Sequence, residues 1–378
     1  MFRKCNSKVY ILFMFMVLLA PVMIYPFVSS KLDHVNHENR KLYTWEDVKT
    51  MSTWENLFPN LEHYIQDNVF YKNESVAAIG WVDENLFHDL FNNRVMLGKE
   101  NWLFYKGDNC IRDYRGGYEL TEAELKEYAA AASRLQDVLE EKGIKLLLLV
   151  VPNKETVYGD KYLPSKVVKI SENSRADQIV DYIKKNTSCN IVYPKEALIN
   201  AAEEYQVWQK YDTHYNNVGA FITAQEVLEA LGNDKESLHS FSVEKTGYCS
   251  GDLANMLGMN SRFSDDIVYA VRGYKDDVHF ETVENIAQQN LNFKKIISDV
   301  DNDTTVLFIG DSFLGHLQEY AAKNYRTNLF VHRDNYSLLD RDLFATEKPD
   351  IVVLQTAERF IGSYGDWANV YASRFSKE

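Results

Sequence analysis

Val306-Leu307-Phe308-Ile309-Gly310-Asp311-Ser312-Phe313 is an apolar run that stops at a glycine and two small polar residues. Thr305 to Ile309 reads as a strand buried on both faces, and helical spacing resumes through Leu317 to Lys323, so the polar turn joins a strand to a helix. Open α/β sheets build their sites at that carboxyl edge. The start of a helix also offers backbone N–H groups and a favourable dipole to a developing oxyanion, which makes the amides of Ser312 and Phe313 candidate donors. Against this stands a plainer reading, in which Asp311 and Ser312 only cap the helix.

Working outward, the same alternation recurs. Thr121 with Glu124 forms a capping box that opens a helix stopped by Gly143, and Ile144 to Val151 follows as a continuous apolar strand ended by Pro152. Helices are expected at Ser174 to Asn186, Lys195 to Glu204 and Val218 to Leu231, with a short strand at Asn190 to Tyr193. Strands at Asn328 to His332 and Ile351 to Gln355 and a helix after Gly365 close the pattern. Such alternation implies an α/β fold with a central parallel sheet covered on both sides. Between about residues 233 and 303 the periodicity fades around Gly247, Gly251, Gly258 and Gly273, which reads as an insertion of partly β character. Residues 31–120 are aromatic and irregular, with short helices around Trp54 to Val69 and Asn73 to Leu90 and a strand at Asn101 to Tyr105; they read as a spacer and cap before a domain spanning 121–378.

The second polar segment, Tyr211-Asp212-Thr213-His214-Tyr215-Asn216, lies just before the helix expected at Val218. Asp212 can accept a hydrogen bond from one ring nitrogen of His214 while the other nitrogen faces a hydroxyl, and that is what activates a serine. Alone, His214 could be a satisfied loop histidine and Asp212 a cap. An Asp and a His two apart can also share a cation, but no third ligand with matching spacing follows, and no metal or bound cofactor is expected.

The N-terminus differs from the rest. Arg3, Lys4 and Lys8 precede Val9 to Val28, a stretch without a charged residue, which as a helix spans roughly 30 Å, enough for a bilayer core. Cations before it and none within it favour a cytoplasmic N-terminus with the rest of the chain outside. Residues 1–30 are therefore read as a signal anchor, a transmembrane helix; the alternative is a cleaved signal peptide, although no A-x-A site follows. A formal charge of -14 argues against nucleic acid, which needs a basic stripe. Of four cysteines, Cys5 falls on the cytoplasmic side, leaving Cys110, Cys189 and Cys249 as an odd three outside, either with one disulfide or all reduced.

Together, Asp212-Thr213-His214 and Gly310-Asp311-Ser312 resemble the SGNH-type acyl hydrolases and transferases. In ordinary members of that family Gly-Asp-Ser comes first and D-x-x-H last; here the order is reversed and one residue separates Asp from His. A circular permutation accounts for this, because Pro349 to Gln355 resembles the strand that ordinarily follows the serine strand, and Lys145 to Pro152 the strand that precedes the Asp and His. The chain is similar in this order to alginate O-acetyltransferases and to the DHHW proteins of Gram-positive bacteria, with Tyr215 where Trp is common. Gly98-Lys99-Glu100-Asn101-Trp102-Leu103-Phe104-Tyr105 resembles their G-x-x-x-W-L-F segment, so the likeness spans roughly residues 39–378.

The resemblance implies a catalytic set of Ser312, His214 and Asp212 on the outer side of the membrane. It implies transfer of an acetyl group through an acetyl-serine to a polysaccharide hydroxyl, with a membrane-bound O-acyltransferase as acetyl supplier. The ordinary oxyanion Asn is missing after Ile351 to Gln355; Glu358 and Arg359 stand there. Arg359 then either stabilises negative charge or substrate, or pairs with Glu358 or Asp311, and Asn153 and Tyr215 are further polar contacts. Water in place of the sugar makes the same site an acetylesterase. A degenerate site would leave a glycan-binding membrane protein using the aromatic residues between Trp45 and Tyr118.

Overall fold

The computed structural model describes residues 7–28, 31, 42–51, 53, 56–69, 71–83, 92–286, 292–335 and 341–376. The chain forms two compact units, one of residues 1–92 with 254–262 and one of 93–253 with 263–378.

The first unit is helical, with helices Ser7–Val28, Trp45–Met51, Leu57–Asp67 and Lys72–Val82. Residues 84–90 of the helix expected to reach Leu90 lie outside the described residues, as does Trp54. The expected apolar N-terminal helix is present as a helix. Phe13, Met14, Phe15, Met16 and Val17 are exposed in succession, and at about 100° per residue they point to all sides. Other side chains of this helix lie outside the described residues, and among the described residues no helix is long and apolar enough to cross a membrane.

The second unit carries the strands β1 (Val95–Leu97), β2 (Leu103–Tyr105), β3 (Lys145–Val151), β4 (Ile191–Val192), β5 (Ser242–Cys249), β6 (Asp266–Arg272), β7 (Phe280–Ile286), β8 (Phe293–Ser298), β9 (Thr305–Gly310), β10 (Thr327–His332) and β11 (Ile351–Ala357). Seven of them form one sheet in the order β4-β3-β11-β9-β10-β8-β7. The pairs β4/β3, β3/β11, β11/β9 and β9/β10 are parallel, and β10/β8 and β8/β7 antiparallel.

Why the core strands read as continuous apolar runs is visible in their alternation. Leu147, Leu149 and Val151 of β3 pack on one face with Phe308 and Val353, under helices Asn217–Ala230 and Leu314–Ala322. Leu146, Leu148 and Val150 pack on the other with Leu307 and Val352, under helices Glu122–Glu140, Arg175–Asn186 and Tyr364–Phe375. The Thr121 capping box forms as its sequence requires, and Ser174 with Asp177 makes a second one.

Three expectations need correction. The sheet is mixed rather than wholly parallel, because the segment read as an insertion supplies β7 and β8, a hairpin-ordered pair that runs antiparallel. Its outer strand is mostly exposed and carries Glu281 and Glu284, as suits a sheet edge, so no buried apolar run announces it. The second compact unit starts at Asn93, not near residue 120: β1 and β2 pair with each other, and Leu103 N–H donates to Lys210 O at 3.1 Å. The helix Lys154–Tyr162 has no counterpart among the expected elements.

Candidate active site

Ser312 follows β9 directly and is exposed at the carboxyl edge of the sheet, before the helix Leu314–Ala322. Gly310 is needed there because a Cβ would lie 2.2 Å from Gln355 Oε1. That close approach is used: Gln355 Oε1 accepts from Asp311 N at 2.8 Å and Nε2 donates to Asp311 Oδ1 at 3.0 Å. Asp311 Oδ2 accepts from Ala357 N at 2.7 Å and from Arg333 at 3.3 Å. A buried carboxylate so supplied with donors anchors the serine turn to β11.

The turn bearing Asp212 and His214 leads into the helix Asn217–Ala230, which Asn216 caps by accepting from Val218 N and Gly219 N. Its stem is a bridge between Trp208 and Tyr215, tightened by Asn216 N to Val207 O at 3.1 Å. Buried Lys154, just past β3, donates from Nζ to the carbonyls of Gln209 (3.2 Å), Lys210 (3.2 Å) and Asp212 (2.6 Å). Burial pushes its pKa down to about 8, with the charges of Glu155, Asp252 and Asp212 limiting the fall. Trp102 and Phe104 lie over the ammonium at 5.9 and 5.5 Å, so the tryptophan segment walls the lysine that holds the turn.

Across the two turns runs one line of hydrogen bonds. Asp212 Oδ1 lies 2.6 Å from His214 Nδ1, and His214 Nε2 lies 2.7 Å from Ser312 Oγ. Asp252 backs this line: its N–H donates to Asp212 Oδ2 at 2.8 Å, while its carboxylate accepts from Thr213 N (2.7 Å) and Thr213 Oγ1 (2.6 Å). Gly251 permits the approach, since a Cβ there would lie 2.6 Å from Asp212 Cβ.

Electrostatics follow from this geometry. Burial disfavours the His214 imidazolium, but the hydrogen bond and charge of Asp212, with Asp252 behind, outweigh it and raise the His214 pKa above its ordinary value. Burial would raise Asp212, yet the bond and charge of His214 and the donors around it hold its carboxyl well below the usual carboxylate range. Asp252 moves upward, through burial and then the charge of Asp212. His316, its ring 5.8 Å from that of His214, is shifted down by burial and by the neighbouring imidazole. Ser312 thus faces a histidine whose tautomer is set by a carboxylate, an arrangement able to make a hydroxyl nucleophilic.

The remaining expected contacts fare unequally. Phe313 N–H is taken by Asp311 Oδ1 at 3.1 Å, so among the described residues the unengaged amide of this turn is that of Ser312. Tyr215 is buried and donates from its hydroxyl to Phe313 O at 2.8 Å, tying the two turns together rather than meeting a substrate. Asn153 is buried, accepts from Arg359 N at 3.2 Å, and its Nδ2 has no partner among the described residues. Glu358 does not pair with Arg359; its Oε2 accepts from Asn153 N (2.7 Å) and Thr156 Oγ1 (2.6 Å), and burial pushes its pKa up to about 7. Asp311 pairs with Arg333 instead. The Arg359 guanidinium stands 5.4 Å from the Phe313 ring, which puts its positive charge beside the site, where it opposes part of the rise that Asp212 gives the His214 pKa.

Sequence reasoning misses Lys154 and Asp252. Lys154 does carry a signal, a cation placed just after a buried strand at the sheet's carboxyl edge; Asp252 carries none, lying where periodicity has faded. Asp252 is also the third potential ligand that the Asp212 and His214 pair lacks in the sequence, with ligand atoms of all three within 4.8 Å of one another. Their oxygens are engaged in the hydrogen bonds above. Cys110, Cys189 and Cys249 are free thiols.

Among curated proteins, the chain is similar to a probable alginate O-acetylase AlgJ of Pseudomonas syringae pv. tomato, 23% identical over 296 residues, covering 72% of this chain and 70% of that one. A protein of the same name from Pseudomonas putida is 24% identical over 297 residues, covering 72% and 71%. Among solved structures, a DHHW family protein from Eubacterium siraeum aligns with a TM-score of 0.54 at 16% identity, over 75% of this chain and 97% of that one, a likeness of fold. Residues 95–326 match the family described as SGNH hydrolase-like domain, acetyltransferase AlgX, and with more than half of its length so matched the chain belongs to that family.

Proposed function

We propose that this protein is an O-acetyltransferase that moves an acetyl group through Ser312 to a hydroxyl of a cell-surface or secreted polysaccharide. The observation that carries the reading is the unbroken line Asp212 Oδ1, His214 Nδ1, His214 Nε2, Ser312 Oγ, at 2.6 and 2.7 Å, in a member of this family. The names of the relatives, alginate O-acetylases, support the substrate class.

In this reading His214 takes the Ser312 proton as Oγ attacks the acetyl carbonyl, and gives it to the departing donor oxygen. The acetyl-serine is then attacked by a sugar hydroxyl; His214 removes that proton and returns it to Ser312 Oγ as the ester bond breaks. Asp212 fixes the tautomer and stabilises the imidazolium. The oxyanion would be met by Ser312 N–H and the nearby Arg359 charge, with Asn153 Nδ2 at the same sheet edge.

The reversed order of the Asp-His and Gly-Asp-Ser segments, with β3 and β9 both flanking β11, supports a circularly permuted version of the fold. The helix Ser7–Val28, apolar on all sides where its side chains are described and preceded by Arg3 and Lys4, supports a membrane anchor with the catalytic domain outside the cell. Acetyl groups must then reach Ser312 from a membrane-bound acyl supplier, since a single helix transports nothing. Ser312 is exposed, so water also reaches the acyl-serine, and an acetylesterase is the second reading.

The test is turnover of a chromogenic acetyl ester by the full chain, with and without polysaccharide acceptors. Acetylated acceptor in the mass spectrum, lost in Ser312→Ala, supports transfer; ester turnover with no acetylated acceptor supports the esterase; equal rates in wild type and Ser312→Ala overturn both.

A further inference from the structure

Asparagine is a preferred N-cap residue, and Asn153 stands at the N-cap of the helix Lys154–Tyr162, yet its side chain makes no cap bond. The first turn is served from the neighbouring strand's end instead. Glu358 Oε2 accepts from Asn153 N at 2.7 Å and from Thr156 Oγ1 at 2.6 Å, which puts an acidic side chain at the helix start, where the dipole favours it. Asn153 Oδ1, relieved of capping, accepts from Arg359 N at 3.2 Å. Two consecutive residues, Glu358 by its side chain and Arg359 by its backbone, thus clasp one asparagine. The last register pair of β3 and β11 is Val151 with Ala357, so the clasp carries that pairing two residues beyond the sheet.

The clasp has two consequences at the sheet's carboxyl edge. It sets the orientation of the Asn153 amide: with Oδ1 engaged, Nδ2 is the donor left over, buried and without a partner among the described residues. It also sets the backbone of Arg359 against β11, the strand whose Ala357 N–H holds Asp311 of the serine turn at 2.7 Å. Both groups offered to the oxyanion beyond the Ser312 amide therefore hang from one carboxyl group. Glu358 is fully buried, and among the described residues no cation pairs with it and Oε1 has no partner. A carboxyl group in such a place costs stability, and an apolar side chain would be favoured there unless the oxygen is used.

We propose that Glu358 is a positioning residue of the acyl-transfer reaction: through Asn153 it fixes where the Arg359 guanidinium and the Asn153 amide stand when the oxyanion forms at Ser312. The proposal deepens the acyltransferase reading and rests on it. Glu358 acts here as an acceptor at a set distance, so a neutral amide of the same length serves as well as the carboxyl group, whereas a shorter acid does not.

The test is steady-state turnover of the chromogenic acetyl ester by the full chain and its variants, with folding checked by circular dichroism. Glu358→Gln keeps an acceptor oxygen at the same length and should hold kcat within about threefold of wild type. Glu358→Asp withdraws the oxygen by one methylene and should lower kcat about tenfold with KM within about twofold, as misplacement of groups that act in the transition state does. Asn153→Ala should lower kcat at least about tenfold. Adding Glu358→Asp to Asn153→Ala should cost less than about threefold more, because the groups it would misplace are already released. A carboxyl group that only stabilises the fold gives independent, additive losses instead. The proposal is overturned by Glu358→Asp or Asn153→Ala turning over within about twofold of wild type, by Glu358→Gln losing as much as Glu358→Asp, or by additive losses in the double variant. Should Glu358→Asp fail to fold, Glu358→Gln and Asn153→Ala still decide. Wild type without Ser312-dependent turnover overturns the acyltransferase reading and the positioning role with it, a result distinct from wild-type turnover that the clasp variants leave intact.

Discussion

The turn at Gly310–Phe313 and the turn at Gln209–Asn216 face each other across 2.7 Å at His214 and Ser312, but they are held by different means. The serine turn hangs from regular structure: β9 lies in register beside β11, and the Asp311 carboxylate collects donors from Gln355, Ala357, Arg333 and Phe313. The histidine turn lies outside the sheet: beyond the Trp208–Tyr215 bridge at its stem, one buried cation, Lys154, serves three of its carbonyls, and the partly buried Asp252 stands behind its carboxylate. A carboxylate with several donors tolerates the loss of one, whereas three buried carbonyls that share one ammonium lose their donor together.

The largest effect is expected where both turns meet. His214→Ala should lower kcat for acetyl ester turnover by at least about 10³-fold with the fold intact by circular dichroism, as removal of an activating base does in such hydroxyl nucleophiles. Next comes Lys154→Met. It leaves the carbonyls of Gln209, Lys210 and Asp212 without their buried donor, and about 3 kcal/mol of stability with a 10- to 100-fold drop in kcat is expected in urea unfolding and steady-state kinetics. Gln355→Ala, its counterpart in the serine turn, should cost less, roughly 1 kcal/mol and under tenfold in kcat, because Asp311 keeps three other donors. If Gln355→Ala proves the more damaging of the two, the contrast between the turns is wrong.

The smallest effect concerns pH. In the proposed mechanism His214 acts as a neutral base, so kcat/KM should rise with pH through an apparent pKa above the ordinary histidine value. Asp252 adds to that elevation; Asp252→Asn should shift the rising limb to lower pH, with a loss of only a few fold at the plateau. Stability changes in the same range with a definite sign. The raised His214 pKa contributes stability that is complete below its unfolded pKa and fades as pH rises through the folded one; the depressed Asp212 contributes stability above the ordinary carboxylate range that is lost on acidification.

The same contrast explains what is legible in the sequence. Residues 146–151 of β3 and 351–354 of β11 are apolar without interruption because both faces are buried, and hydrophobic patterning finds them directly. The serine turn inherits its position from them. Lys154 and Asp252 work through three-dimensional contacts that cross 58 and 40 residues of chain, and no periodicity encodes such pairs. Strand β7 escapes for a related reason: an exposed edge strand alternates weakly and carries charge, so its residues read as part of an irregular insertion. Phe313 fails as an amide donor because the aspartate two residues before it already holds that amide, a local competition that the Gly-Asp-Ser pattern does not reveal.

The central claim is that the acetyl group rests on Ser312. The full chain, quenched in acid during turnover of the acetyl ester and digested, should yield the peptide containing Ser312 with the added mass of one acetyl group, absent in Ser312→Ala and discharged in wild type by a productive acceptor. Turnover at full rate in Ser312→Ala, or an acetyl group found on a different residue that is discharged at the same rate, would contradict it.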